Sequence, residues 1–291
     1  MPLPSAAPAQ RSILAQIVQG ERFLRASALT SSAAQLITIG GPAVAGLLIA
    51  VEVPFAFGAA ALAQCCTAIS YAMLAPRPPD PSAHAGTSLL HGALDGARYI
   101  IANKVVLGAI SLDLFAVLFG GATALLPIFA TQILHVGAVG FGLLRAAPAI
   151  GAACTAIVIA RRPIRRHAGR WLFGCVAGFG LFTIVFGLSR SFWLSFAALA
   201  LADACDMVSV AIRTVLVQLR TPDAMRGRVS AVENIFIGAS NELGAFESGA
   251  VASLIGAAPS VVLGGVGTVA IIVVWALIFP SLRRFDHLIL A

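Results

Sequence analysis

Apolar residues run through this chain in blocks too long for an ordinary soluble helix. A membrane-spanning helix needs roughly 20 predominantly apolar residues. Eight blocks approach or exceed that length, over residues 28–51, 54–75, 105–130, 139–160, 171–189, 192–219, 229–256 and 260–279. The pattern predicts an all-α polytopic membrane protein. Only one connection is long, residues 76–104. Its first part, PRPPDPSAHAGTS, is proline-rich and irregular. Its second part, SLLHGALDGARYIIANK, sets Leu90, Leu94, Ala97 and Ile101 at helical spacing, which predicts an interfacial helix. The remaining connections are short turns or basic loops.

One span differs from the rest. Residues 228–252, RVSAVENIFIGASNELGAFESGAVA, have the length of a membrane helix but carry Glu233, Asn234, Asn241, Glu242 and Glu247. Polar groups in a span are costly unless they face protein or water, so this helix is expected to present a working surface. A second copy lies at residues 25–50. There Arg25, Ser27 and Ala28 match Arg228, Ser230 and Ala231 at an offset of 203, and Gly41 and Gly46 fall on Gly244 and Gly249. Leu14 and Gln16 answer Leu216 and Gln218 with a one-residue slip. Internal repeats of this kind are how many transporters are built.

Composition strengthens the membrane reading. Hydrophobic residues make up 59%, charged residues 11%, and the mean hydropathy is +0.95; a soluble domain has about twice that share of charge. A net charge of +7 would suggest nucleic-acid binding in a soluble protein, but the placement of the charge argues against it. If both termini are cytoplasmic, that side holds Arg11, Arg22, Arg25, Arg77, Arg98, Lys104, Arg161, Arg162, Arg165, Arg166, Arg170, Arg220, Arg226, Arg228, Arg283 and Arg284, which is 16 of 19 basic residues. Arg190 alone stays opposite, and Arg145 and Arg213 lie within spans. This asymmetry is the positive-inside rule. The first 20 residues hold no apolar core long enough for a secretory signal. Cys65, Cys66, Cys154, Cys175 and Cys205 all sit in apolar runs without zinc-like spacing, and read as small hydrophobes rather than as a disulfide framework or a metal site.

The chemistry must therefore come from the ionisable residues inside spans: Asp113, Arg145, Asp203, Asp206, Arg213, Glu233, Glu242 and Glu247. At about 1.5 Å per residue, Asp113, Asp203, Asp206 and Glu242 fall in the middle third of their spans. A carboxylate in a low-dielectric medium exchanges protons nearer neutral pH than one in water, as proton-coupled transport requires. These four are the candidates for proton coupling or cavity lining, with Arg145, Arg213 and Glu233 as charge partners. The structural alternative pairs Asp113 with Arg145 and Glu233 with Arg213. Asp203 and Asp206 lie one turn apart on one face, close enough to repel if both ionise. Gly238, Ala239, Gly244, Ala245 and Gly249 are expected to form packing seams, and Phe115, Phe119 and Phe236 to pack against core or lipid. An intramembrane enzyme is disfavoured: His84, His91, His135, His167 and His287 all fall outside the spans, and HExxH and GxSxG are absent. So is GxxxxGK[ST], which leaves no ATP site and points to an ion gradient; no cofactor is expected.

Three stretches resemble the major facilitator superfamily, in particular its transmembrane secretion effector or enterobactin-exporter-like branch: LVQLRTPDAMRGRVSAVENIFIGASNELGAFESG (216–249), LDLFAVLFGGATALLP (112–127) and GFGLLRAAPAIGA (140–152). The resemblance covers nearly the whole chain after about residue 12. It implies a fold of twelve helices in two halves, of which the eight spans here correspond to the fifth through twelfth. Residues 1–75 would then be a remnant of the N-terminal half with two spans, 76–104 the cytoplasmic linker, and 105–291 the complete C-terminal six-helix half. Gly41, Pro42 and Gly46 resemble the family's antiporter motif GPxxxG, where small residues allow close packing and proline bends the span. Arg161, Arg162, Arg165, Arg166 and Arg170 resemble its cytoplasmic gate loop, without the acidic residue expected there. The implied activity is proton-coupled export of a small hydrophobic or siderophore-like compound across the bacterial inner membrane. Its partners would be that small-molecule substrate, protons and the lipid bilayer, with neither nucleic acid nor ATP. The alternative is a truncated, non-transporting fragment, from a shortened gene or a misassigned start, because the first three family helices have no counterpart.

Overall fold

The computed structural model describes residues 53–73, 89–162 and 166–283, together with residues 44, 48, 164 and 285. All regular structure among the described residues is helical: α1 Val53–Ala72, α2 Leu89–Ala102, α3 Lys104–Phe119, α4 Ala138–Arg161, α5 Ala168–Leu188, α6 Phe192–Arg220, α7 Asp223–Ile255, α8 Ala257–Ile278 and the single turn α9 Pro280–Arg283. A helix closes its own backbone hydrogen bonds, which lipid cannot do for it. Among the described residues, five helices are long and apolar enough to cross a membrane, over 104–133, 138–161, 168–188, 192–220 and 257–278. Helix α7 has 33 residues, ample length, but its charged positions interrupt its apolar character. The apolar part of α1, Phe57–Ser70, is shorter than a span. The span expected over 28–51, with Gly41, Pro42 and Gly46, lies outside the described residues except at positions 44 and 48.

The first crossing helix is broken. Asn103 caps α3, its Oδ1 accepting from the backbone N–H of Val105 at 3.2 Å and of Val106 at 3.3 Å. After Gly120 the chain tightens into a 3-10 segment, Gly121–Leu125, then one α turn, Leu126–Ile128, and a π turn, Phe129–Ile133. Close packing of α7 accompanies the break. A side chain at Gly244 would meet the carbonyl of Leu118 at 2.7 Å, and one at Gly121 the carbonyl of Gly244 at 2.5 Å. Gly238 and Gly249 face open space instead, so the packing seam expected on this helix is narrower than its small residues imply. Gly244→Leu should therefore lower stability by about 1–3 kcal/mol, the cost of overpacking against unyielding backbone, read from thermal unfolding in micelles. Gly238→Leu should change it little.

The bundle has two distinct ends. At one end Ala168, Leu172, Ile212, Leu216 and Leu282 form a buried cluster, the backbone N–H of Gly169 donates to the carbonyl of Phe285 at 2.8 Å, and the Arg220 guanidinium sits 5.3 Å above the Phe285 ring. At the other end Leu126, Phe129, Leu144, Phe186 and Leu199 pack together, with Phe129 and Phe186 stacked at 4.4 Å. Lys104, Arg161, Arg162, Arg166, Arg170, Arg220, Arg226 and Arg283 are exposed on helix termini at the first end, and Arg190 is exposed at the second. Arg165 lies outside the described residues.

Helix α2 docks on the basic end with a face the apolar spacing indicates only at Ala97, which packs against the cluster of Ile100, Val229 and Val232. Gly96 and Ile100 are buried, whereas Leu94, Arg98 and Ile101 are exposed. A side chain at Gly96 would meet the Arg228 carbonyl at 2.7 Å. Asp95 pairs with Arg228 at 3.0 Å, and the Tyr99 hydroxyl donates to the Arg220 carbonyl. Both members of the Asp95–Arg228 pair are more than a third exposed, so Arg228→Gln should cost no more than about 1 kcal/mol.

Candidate functional site

A buried arginine anchors the site. Arg213 lies on α6, two turns from its basic end, between Ile212 and Leu216 of the core. It is 3% exposed. A charge removed from water this completely needs opposite charge close by, and two helices supply it. Nη1 of Arg213 stands 2.9 Å from Oδ2 of Asp113 on α3 and 3.3 Å from Oε1 of Glu233 on α7. Both approaches are at ion-pair distance but off the line of a hydrogen bond, and Nε has no acceptor among the described residues. One guanidinium nitrogen is thus shared by carboxylates on two different helices. Ser209 Oγ, one turn along α6, is likewise buried and unpartnered.

The expected pairing of Asp113 with Arg145 is not formed. Asp113 takes Arg213 instead, and Arg145 is exposed on α4. Depth explains the difference. Asp113 is nine residues from Lys104, Arg213 seven from Arg220 and Glu233 five from Arg228, so all three sit about 8–14 Å from the basic end at 1.5 Å per residue. Arg145 is 16 residues from Arg161, about 24 Å from that end, and so about 10 Å out of register. The Glu233–Arg213 contact is present as expected from the sequence.

Asp203 and Asp206 sit farther along α6. With Gly120, Thr123, Thr183, Asn241 and Ala245 they line a cavity of about 150 Å³ beside the α3 break. Neither carboxylate has a hydrogen-bond or ion-pair partner among the described residues. The volume admits several waters but falls short of the roughly 300 Å³ at which ligand sites begin. It suits protons and water rather than a bulky solute. The 3-10 segment that opens this cavity interrupts an apolar block that reads as one span, at Gly120–Gly121 followed by Pro127, a breaker signal.

Glu242 stands apart from both groups. It is exposed on α7 with Asn234, Asn241, Phe236 and Phe246, while Glu247 is partly buried. Among the described residues α7 packs mainly on α2, α3 and α8 and touches α6 near its basic end, which leaves this polar-aromatic face open. Phe115 and Phe119 instead pack on α8, Phe115 against Trp275 at 5.1 Å between ring centroids and Phe119 against Gly264 and Gly267. The cysteines are free thiols, with Cys175 and Cys205 meeting across the α5–α6 seam. No cluster of three or more metal-ligating side chains occurs among the described residues.

Comparison with known proteins agrees with this architecture. The chain is 28% identical over 272 residues to the enterobactin exporter EntS of Shigella boydii serotype 18, and equally so to those of Escherichia coli O1:K1 and Escherichia fergusonii. Each match covers 92% of this chain and 64% of the relative, so the chain spans just under two thirds of the length of the proteins it resembles. The model of the transmembrane secretion effectors matches residues 4–289. That match covers nearly the whole chain, and with an all-helical fold beside it the chain belongs to the transmembrane secretion effector family of the major facilitator superfamily.

Proposed function

We propose that this chain acts in secondary active export, moving a small hydrophobic or siderophore-like compound outward in exchange for protons across the bacterial inner membrane. Residues 1–75 contribute part of one half, 76–104 the linker and 105–291 the six-helix second half. The basic end faces the cytoplasm, as the placement of arginine favours. The reading calls on no cofactor, ATP or nucleic acid, and on no covalent chemistry. The observation that carries it is the single Arg213 nitrogen shared between Asp113 and Glu233. Two ionised carboxylates and one guanidinium leave one excess buried negative charge, which a proton would balance. Protonating Asp113 or Glu233 shifts Arg213 toward the other, so α7 gains or loses its tie to α3. An element with two such arrangements is what a coupled transporter needs. Asp206, about two turns from Arg213 on α6, supplies the proton from the water-sized cavity. The open face of α7, with Asn234, Asn241, Glu242 and Phe246, meets the substrate; the relatives' names favour a siderophore.

A second reading, insertion without transport by this polypeptide alone, is favoured by that same open face. Alternating access rocks one half against another, and among the described residues nothing covers it. Proteoliposomes holding only these 291 residues, with an imposed proton gradient and a hydrophobic dye, separate the two. Movement that a protonophore abolishes supports export by the chain itself. Movement only after fusion to the N-terminal spans of a relative supports the second reading. No movement in either case contradicts the proposed exporter.

A further inference from the structure

A groove at the basic end has no role in this transport reading. It lies on the seam between α5 and α6 and has a volume of about 500 Å³, within the roughly 300–1,000 Å³ that ligand sites occupy. Its lining is His167, Arg170, Trp171, Gly174, Cys175 and Cys205. Gly174 is exposed and a β-carbon there would meet nothing within 4 Å, so the absent side chain leaves a channel along α5. One turn below the mouth the walls are thiol and glycine, and offer a solute little to hydrogen-bond.

The mouth is different in character. Arg170 is exposed there, and Arg161, Arg162 and Arg166 are exposed on the adjoining turn. Residues 161–170 contain no acidic side chain to neutralise them. Trp171 is 53% exposed beside Arg170, at the level where amphipathic rings settle between headgroups and hydrocarbon. Cationic mouth, interfacial tryptophan and apolar channel succeed one another in the order of an anionic phospholipid's own parts. Basic pockets between membrane helices bind such headgroups.

We infer that the α5–α6 groove is a binding site for one anionic phospholipid, its phosphate at Arg170 and an acyl chain laid along Gly174. A free anion would use the mouth and leave the channel empty; a zwitterionic lipid would fill the channel without the same hold at the mouth. The inference depends neither on transport nor on which membrane face the basic end occupies.

Native mass spectrometry of the full chain released from micelles containing phosphatidylglycerol or phosphatidylcholine tests it. The unaltered chain should retain one phosphatidylglycerol under activation that strips phosphatidylcholine. Arg170→Gln should lower that retention about fivefold or more, the loss of one charge-assisted contact of about 1–1.5 kcal/mol. Gly174→Leu, whose added β-carbon meets nothing within 4 Å, places its side chain in the channel and should do the same. Arg98→Gln, an exposed charge on α2 at the same end, should leave it unchanged. Equal retention of the two lipids overturns the assignment, as does an Arg98→Gln loss matching that of Arg170→Gln. Unchanged retention in folded Gly174→Leu, with displacement by inorganic phosphate, would reduce the site to anion binding and also overturn it. Helical circular dichroism in phosphatidylcholine micelles checks folding; if Gly174→Leu does not fold, the surface change Arg170→Gln decides.

Discussion

Replacing Arg213 with glutamine is expected to destabilise the helical bundle by about 3–5 kcal/mol, the cost of removing one partner from a buried ion pair. The Arg213 and Asp113 side chains are 4% and 7% exposed, so solvent cannot take over the lost interaction. Glu233, at 14%, is only slightly better placed. Without the guanidinium two carboxylates from α3 and α7 face each other through the core, and repulsion joins the desolvation penalty. Adding Asp113→Asn to Arg213→Gln should recover more than half of the loss, since it removes the charge left most deeply buried. Glu233→Gln alone should cost less than Arg213→Gln, because Asp113 still neutralises the arginine. Unfolding of the parent and the three variants in mixed micelles, followed by circular dichroism, gives these values. An Arg213→Gln protein within about 1 kcal/mol of the parent would mean that water reaches this site and that the shared nitrogen holds nothing together.

Asp206→Asn should have the largest effect on transport. The amide keeps the shape of the carboxylate and lines the same cavity, but it cannot take up or release a proton. Proton-driven accumulation is expected to fall by about 100-fold or more, the scale on which one positioned proton donor matters. Stability should change little, because Asp206 has no ion-pair partner among the described residues to lose. Asp203→Asn should have a smaller effect, since Asp203 lies one turn farther from Arg213. Glu242→Gln, on the open face of α7, should alter which solute is carried more than how transport is driven.

Much of this was legible in the chain. Long apolar blocks dictate helices in lipid, and the clustering of arginine at alternate span ends orders them into a bundle with one basic end. Glu233 and Arg213 were readable as partners because both lie a few residues inside that end. Asp113 was harder to place. Choosing its partner needs the depth of each charge in the bundle and not merely adjacency in sequence, and by depth Arg145 belongs near the other end. The α3 break was signalled by Gly120, Gly121 and Pro127, but the cavity it opens depends on how α7 packs against Leu118 through Gly244, which no single helix encodes. For α2 the apolar period picked out Leu94 and Ile101, whereas docking is decided by the one position small enough to approach the Arg228 carbonyl, Gly96. The channel along Gly174 is legible only once α6 is set beside it.

The central claim is that buried carboxylates couple proton movement to the shift of α7. Comparing substrate exchange with gradient-driven accumulation in the same proteoliposomes tests this most directly, using the transport-competent assembly with and without Asp206→Asn. Exchange needs alternating access but no net proton transfer; accumulation needs both. Retained exchange with accumulation abolished is the predicted result. Accumulation that persists in Asp206→Asn, or exchange lost along with it in a folded protein, would contradict the assignment of proton coupling to this site.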